Sequence, residues 1–128
     1  MLHVPGLYVQ AVPEKGRGVF CANPLAESDL IEICPVILLA PEEREHIDKT
    51  TVYEYYFIWP DGKGTLAILL GFGSLYNHDA APNAKVYFDM ARRSVEIRCL
   101  RPIPAGEEIC IDYRSGEKDP AALWFDIK

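Results

Sequence analysis

Glycine and proline recur every few residues along this chain, nine and ten of them in 128 residues, and the runs between them are short and suited to strands. Both residues interrupt helices and mark turns, whereas short runs of apolar, β-branched and aromatic side chains fit a pleated surface. The pattern predicts a mostly-β domain with many short strands, little helix and loops that carry most of the polar character. Leu7 to Ala11 reads as a first strand, Lys15-Gly16-Arg17-Gly18 as a tight loop and Val19-Phe20-Cys21 as a second strand. Leu30 to Leu39 is a longer apolar run broken by Pro35, where a strand is expected to kink or change sheet. Pro41-Glu42-Glu43-Arg44-Glu45-His46 reads as the opening of a helix, with Pro in the first turn and acids near its positive end. Tyr53 to Trp59 reads as an aromatic-rich strand that turns at Pro60-Asp61-Gly62 into a partner over Thr65 to Leu70. Val86-Tyr87-Phe88 and Ser94 to Cys99 flank a turn at Met90-Ala91-Arg92, and Val95, Ile97 and Cys99 alternate with polar neighbours as a half-buried strand does. Ile109 and Ile111 alternate in the same way just ahead of Tyr113.

Hydrophobic residues make up 49% of the chain, a folding composition, and its length fits one domain over residues 1–128 with a core that needs no covalent staples. The net charge of -6 and pI near 5.0 argue against duplex nucleic acid as a direct partner, because phosphate binding needs a basic stripe. The same charge is compatible with a basic polypeptide partner. Cys21, Cys34, Cys99 and Cys110 form no CxxC pair, and three of them sit inside apolar runs. They are expected to be buried free thiols of a reducing compartment, and no metal site is expected. No secretory signal and no span of roughly 20 apolar residues is visible, which points to the cytoplasm or nucleus and away from a membrane.

Three segments carry groups with chemical potential. In Lys15-Gly16-Arg17-Gly18-Val19-Phe20, two glycines flanking one residue allow close approach of backbone to a ligand, although a bare hairpin turn explains such a pattern more often than a cofactor does. In Asn77-His78-Asp79-Ala80-Ala81-Pro82-Asn83, Asn and neutral His offer donors and acceptors suited to an adenine edge; the alternative is a capped turn in which Asn77 and Asn83 satisfy local backbone. In Gly106-Glu107-Glu108-Ile109-Cys110-Ile111-Asp112-Tyr113 a turn feeds a strand that delivers an acid and a tyrosine at its end, where amphipathic packing competes with a catalytic role.

The order of these motifs, Gly-x-Gly-Val-Phe first, Asn-His with Pro-Asn midway and Gly-Glu-Glu-Ile-x-x-Asp-Tyr last, resembles the SET-domain family over roughly Leu7 to Tyr113. The approach through Leu70-Gly71-Phe72-Gly73 looks most like the small free-standing SET proteins of viruses and bacteria. The resemblance implies a SET-domain fold, a β-clip-like set of small curved sheets closed by a C-terminal pseudoknot. It implies transfer of a methyl group from S-adenosyl-L-methionine to a lysine side chain of a protein substrate, a histone tail by family analogy. By the same analogy the backbone of Lys15, Gly16, Arg17 and Gly18 holds the donor's methionine end, and Asn77 and His78 contact the donor. Tyr113 is then the catalytic tyrosine and also touches the donor. Tyr55 lines the lysine channel, and main-chain carbonyls near Leu75 and Tyr76 face the reacting centre. The resemblance leaves room for a homodimer.

The chemistry suits those residue types. A lysine ammonium has no lone pair, so it must arrive neutral, and a water-poor aromatic channel beside a sulfonium charge favours that form. Methyl transfer is an in-line displacement that depends on alignment. Carbonyl oxygens and a tyrosine hydroxyl can steer a polarised methyl through weak C–H contacts. Several departures qualify the match. The family's Asn-His-Ser-Cys is Asn77-His78-Asp79-Ala80 here, and no cysteine-rich segment follows Tyr113. The tail over 114–128, with Trp124 and Phe125, is expected to lie near the active site, either over the donor as a lid or docked on the core. The positions aligned with the family's product-specificity aromatics are Val86 and Ile97, which leaves the degree of methylation open. The alternative reading of the whole chain is a SET-like module that binds a peptide without turnover.

Overall fold

Residues 3–113 are described in a computed structural model of the chain, and most of the short apolar runs among them form strands. Strand β1 (Leu7–Val12) and strand β2 (Gly16–Cys21) form an antiparallel hairpin in the register Leu7↔Cys21 to Val12↔Gly16. Strand β3 (Leu30–Leu39) is followed by a 3-10 turn (Pro41–Glu43), the short helix α1 (Arg44–Ile47) and a second 3-10 turn (Thr51–Glu54). Strands β4 (Phe57–Ile58) and β5 (Leu66–Leu69) lead to a third 3-10 turn (Gly73–Leu75) and the two-residue strand β6 (Asn77–His78). Strands β7 (Ala84–Asp89), β8 (Ser94–Cys99) and β9 (Glu108–Ile111) complete the set. One sheet runs β1-β2-β9-β6 and the other β4-β5-β3-β8-β7.

Strand β3 changes partner at Pro35, as the sequence suggested. Leu30 to Pro35 pairs with β8, while Val36 to Leu39 pairs with β5. Proline brings no amide donor to a ladder, so the exchange of neighbours falls where a missing hydrogen bond costs least. Two expectations are corrected. Gly16-Arg17-Gly18 is strand rather than loop, because the β1–β2 turn falls one step earlier, with Glu14 at φ 67 and Gly16 at φ 80. Tyr53 to Trp59 is strand only at Phe57–Ile58; Thr50 Oγ1 accepts from the Val52 amide and opens a 3-10 turn instead. That side-chain cap supplies a local bond that competes with extended backbone, and the aromatic composition does not override it.

The core is formed by the inward residues of both sheets, with Val19, Ile31, Leu66, Val95, Ile97, Ile109 and Ile111 at 0% exposure. Burying an aliphatic side chain of this size stabilises by about 1.5–3 kcal/mol, so these positions fix which face of each strand turns inward. Val86 and Ile97 face each other across the β7–β8 hairpin and belong to this core. All four cysteines are free and buried, and burial pushes Cys99 up to about 11 and Cys110 up to about 12. Thiols held protonated in this way are poor nucleophiles and metal ligands at neutral pH. Among the described residues, no group of three or more His, Cys, Asp or Glu side chains could hold a metal ion, and no helix is long and apolar enough to cross a membrane.

Strand β9 places the last motif. It runs antiparallel to β2 on one side, with Val19↔Ile109, and parallel to β6 on the other, with Asn77↔Cys110 and His78↔Ile111. A strand late in the chain is thus inserted between one from its start and one from its middle, the crossing expected of the C-terminal pseudoknot.

Candidate active site

The β9 crossing brings the three motifs to one narrow cleft lined by Lys15, Arg17, Tyr55, Ser74, Leu75, Asn77 and Tyr113, with a cavity volume of about 30 Å³. Tyr113 stands at its floor, fixed at two points. Its backbone N–H donates to His78 Nδ1 at 2.9 Å, and its hydroxyl donates to the Tyr76 carbonyl at 2.8 Å. Its ring meets Phe57 edge-on at 6.0 Å and His78 at 5.2 Å between centroids, so ring rotation is restricted from both sides. Burial, then the neighbouring Cys110, Tyr55, Glu108 and Glu54, holds the phenol above its ordinary range. Tyr113 therefore keeps its proton at neutral pH. With that proton aimed at Tyr76, the oxygen's lone pairs are what it can offer to another group.

His78 is spent internally. Its Nδ1 accepts from the Tyr113 amide, and the Asp112 carboxylate lies 3.6 Å from the same nitrogen. The residue is 9% exposed and is not part of the cleft lining. Asn77 does reach the cleft, but not with its donors. Its Nδ2 gives one hydrogen to the Arg17 carbonyl at 2.9 Å and the other to Glu108 Oε2 at 2.6 Å. This fixes the amide orientation and leaves Oδ1, an acceptor, for a ligand.

Gly18 serves the same junction. A Cβ there would strike the Glu108 carboxylate and lie 2.9 Å from Val12 Cγ2 and 3.0 Å from Asn77 Nδ2. Its missing side chain makes room for protein groups, whereas Gly16 supplies the positive φ of the hairpin and faces open space. Tyr55 caps the Thr51–Glu54 turn and lines the mouth at 38% exposure. Leu75 lines the cleft, while the Tyr76 ring is fully buried and its carbonyl accepts from the Tyr113 hydroxyl. Asp79 caps its own turn through the Ala81 amide at 2.9 Å. Trp124 and Phe125, expected near the site, lie outside the described residues.

Three residues escaped the sequence reading. Glu108 orients Asn77; the signal was a polar residue on the same strand face that Gly18 leaves open. Ser74 lines the cleft and its Oγ accepts from the Leu69 amide, with no sequence signal beyond its place in the Gly73–Leu75 turn. Glu32 was visible as a lone acid within an apolar strand, a placement that demands partners.

The SET domain family model matches residues 16–114, more than half of the chain. The chain belongs to the SET domain family. It is 39% identical over 121 residues to a Schizosaccharomyces pombe histone-lysine N-methyltransferase specific for H3 lysine 37, covering 94% of this chain and 77% of that one. It is similar to the crystal structure of a candidate histone methyltransferase of Plasmodium falciparum, with 30% identity, TM-score 0.65, and coverage of 84% of this chain and 92% of that one. The fold also matches the Neurospora SET domain protein DIM-5, a histone lysine methyltransferase, with TM-score 0.67 over 88% of this chain and 53% of that one, at 19% identity.

Proposed function

We infer that the chain is a protein-lysine methyltransferase that uses S-adenosyl-L-methionine as methyl donor and a basic protein, a histone as the first choice, as acceptor. One observation carries this reading: residues from the glycine hairpin, the Asn-His segment and the terminal Asp-Tyr strand meet in a single cleft with a protonated, doubly fixed tyrosine at its floor. The relatives named as histone methyltransferases support the acceptor class. Nuclear or cytoplasmic residence is part of the same proposal, and assigning Trp124 to the donor's side of the cleft rests on the sequence alone.

The lining suits the donor's amino-acid end. Lys15 and Arg17 offer cations to a carboxylate, and Asn77 Oδ1 offers an acceptor to an ammonium, with the Glu108 carboxylate behind it. When bound, S-adenosyl-L-methionine supplies a methyl group on a positively charged sulfur, already activated toward a nucleophile. The chain then has to align and select rather than to activate. The Tyr113 oxygen can accept weak C–H bonds from a polarised methyl. The Tyr55 ring at the mouth favours a cationic side chain passing its face. A tyrosine locked as the phenol cannot serve as general base, so the acceptor lysine loses its proton to solvent on the way in.

The decisive experiment is transfer of radiolabelled methyl from S-adenosyl-L-methionine to core histones and to whole-cell protein, alongside calorimetric titration of the donor. Donor binding without transfer to any protein would favour the peptide-binding module. Absence of both would remove the reading altogether.

Two further results are expected. The value of kcat/KM should rise with pH at about tenfold per unit through neutrality, because the free lysine's ordinary value is about 10.4 and only the neutral amine reacts. The phenol of Tyr113 is shifted upward, so its hydroxyl is intact below and through that range and no descending limb should appear before about pH 10. A bell-shaped profile that loses its descending limb in Tyr113→Phe would contradict this. Asn77→Ala should raise the donor dissociation constant about 10- to 100-fold by calorimetry, the equivalent of about 1.4–2.7 kcal/mol, because it removes the acceptor and one of the donors that hold Glu108. Unchanged affinity would place the donor elsewhere.

A further inference from the structure

We propose that Glu32 is a positioning residue for methyl transfer, which acts through Tyr76 to fix the carbonyl that holds the Tyr113 hydroxyl. The inference rests on the reading of the cleft given above. Glu32 lies on β3 in the core at 2% exposure, directly after Ile31 at 0%. Consecutive strand residues ordinarily face opposite ways, but the β3–β8 register shifts between Leu30 and Glu32. An irregularity of that kind re-aims a side chain, and here both neighbours turn inward.

The segment from Gly71 to Tyr76 is built around the carboxylate. Its Oε2 accepts the Phe72 amide at 2.9 Å, and its Oε1 accepts the Tyr76 hydroxyl at 2.8 Å. Gly71 stands at φ 66, where a Cβ would collide with Oε2. Burial, followed by the charge and hydrogen bond of Glu32, pushes the Cys34 thiol well up and keeps it a donor to the same group. Among the described residues no ion pair engages Glu32. A buried carboxylate held by neutral donors alone is costly, and an apolar residue would serve stability as well or better. What an apolar residue could not do is grip this segment, which lines the cleft through Ser74 and Leu75. Tyr76 spans the distance: its hydroxyl is tied to Glu32 while its carbonyl accepts from Tyr113. A shift of the Tyr76 ring thus moves the atom that aims the Tyr113 hydroxyl.

The test is a double-mutant cycle between Glu32→Gln and Tyr113→Phe, read by methyl transfer to core histones with donor affinity measured separately. Glutamine keeps the shape, but with its oxygen on the Phe72 amide its nitrogen faces the Tyr76 hydroxyl, which must then accept instead of donate, so kcat should fall about 10-fold while donor affinity stays within about twofold. On the Tyr113→Phe background the same change should cost less than about twofold, since the hydroxyl it positions is gone. Tyr76→Phe, which removes only the tether, should lower kcat about 3- to 10-fold with the same non-additivity, and it carries the comparison if Glu32→Gln does not fold. Full turnover in both variants, or losses that multiply with that of Tyr113→Phe, would show that Glu32 is merely structural and overturn the proposal. Normal turnover in Tyr113→Phe itself is a different result: it removes the site assignment, and this inference with it.

Discussion

Tyr113→Phe should lower the rate of methyl transfer by one to three powers of ten, about 1.4–4 kcal/mol of lost transition-state stabilisation. The substitution leaves the ring against Phe57 and His78, and the backbone N–H still donates to His78 Nδ1. Only the hydroxyl goes, and with it the bond to the Tyr76 carbonyl. An interaction made mainly in the transition state lowers kcat and kcat/KM together and leaves ground-state binding alone. Calorimetry should therefore find the donor dissociation constant within about twofold of wild type. Wild-type turnover, with another cleft tyrosine such as Tyr55 essential instead, would show that the last motif had been assigned to the wrong role.

Local patterns carried the strands and the motifs, and failed where a distant partner decides. The alternations at Val95, Ile97 and Cys99 and at Ile109 and Ile111 were legible because each strand keeps one face in the core. The partner exchange at Pro35 was legible because proline has a fixed chemistry wherever it stands. The roles of the polar residues were not. Asn83 reads as a turn cap, yet its side-chain bonds run to residues 24 to 27 positions away. His78 has the right atoms for an adenine edge, but the fold spends Nδ1 on Tyr113. Asn77 offers donors on paper and an acceptor in fact, since the Arg17 carbonyl and Glu108 take both hydrogens. In each case the deciding contact reaches a residue far along the chain, around the junction where β9 lies between β2 and β6, and no hairpin signal announces that junction. The family resemblance filled that gap, because the order of motifs encodes a crossing that periodicity cannot.

That crossing is where the largest stability effect is expected. Asn83 is 4% exposed, and its amide joins the loop after β6 to β9 with three bonds. Nδ2 donates to Glu107 Oε2 at 2.9 Å and to the Glu108 carbonyl at 2.8 Å, while Oδ1 accepts the Cys110 amide at 2.8 Å. Asn83→Ala leaves the Cys110 N–H and the Glu108 carbonyl without that partner in a dry interior, each costing about 1–3 kcal/mol. The sum, about 2–6 kcal/mol, should lower Tm by about 6–25 °C for a chain of this size. Asn83→Asp is the sharper variant. It keeps the shape but turns an acceptor toward two acceptors, the Glu108 carbonyl and the Glu107 carboxylate, and should be at least as destabilising at neutral pH. Lowering the pH should narrow the gap to wild type, because protonating the new acid restores a donor. A Tm loss below about 3 °C in both variants would mean that water replaces the amide without penalty. The crossing would then be held by the Val19, Ile109 and Ile111 packing alone rather than by Asn83.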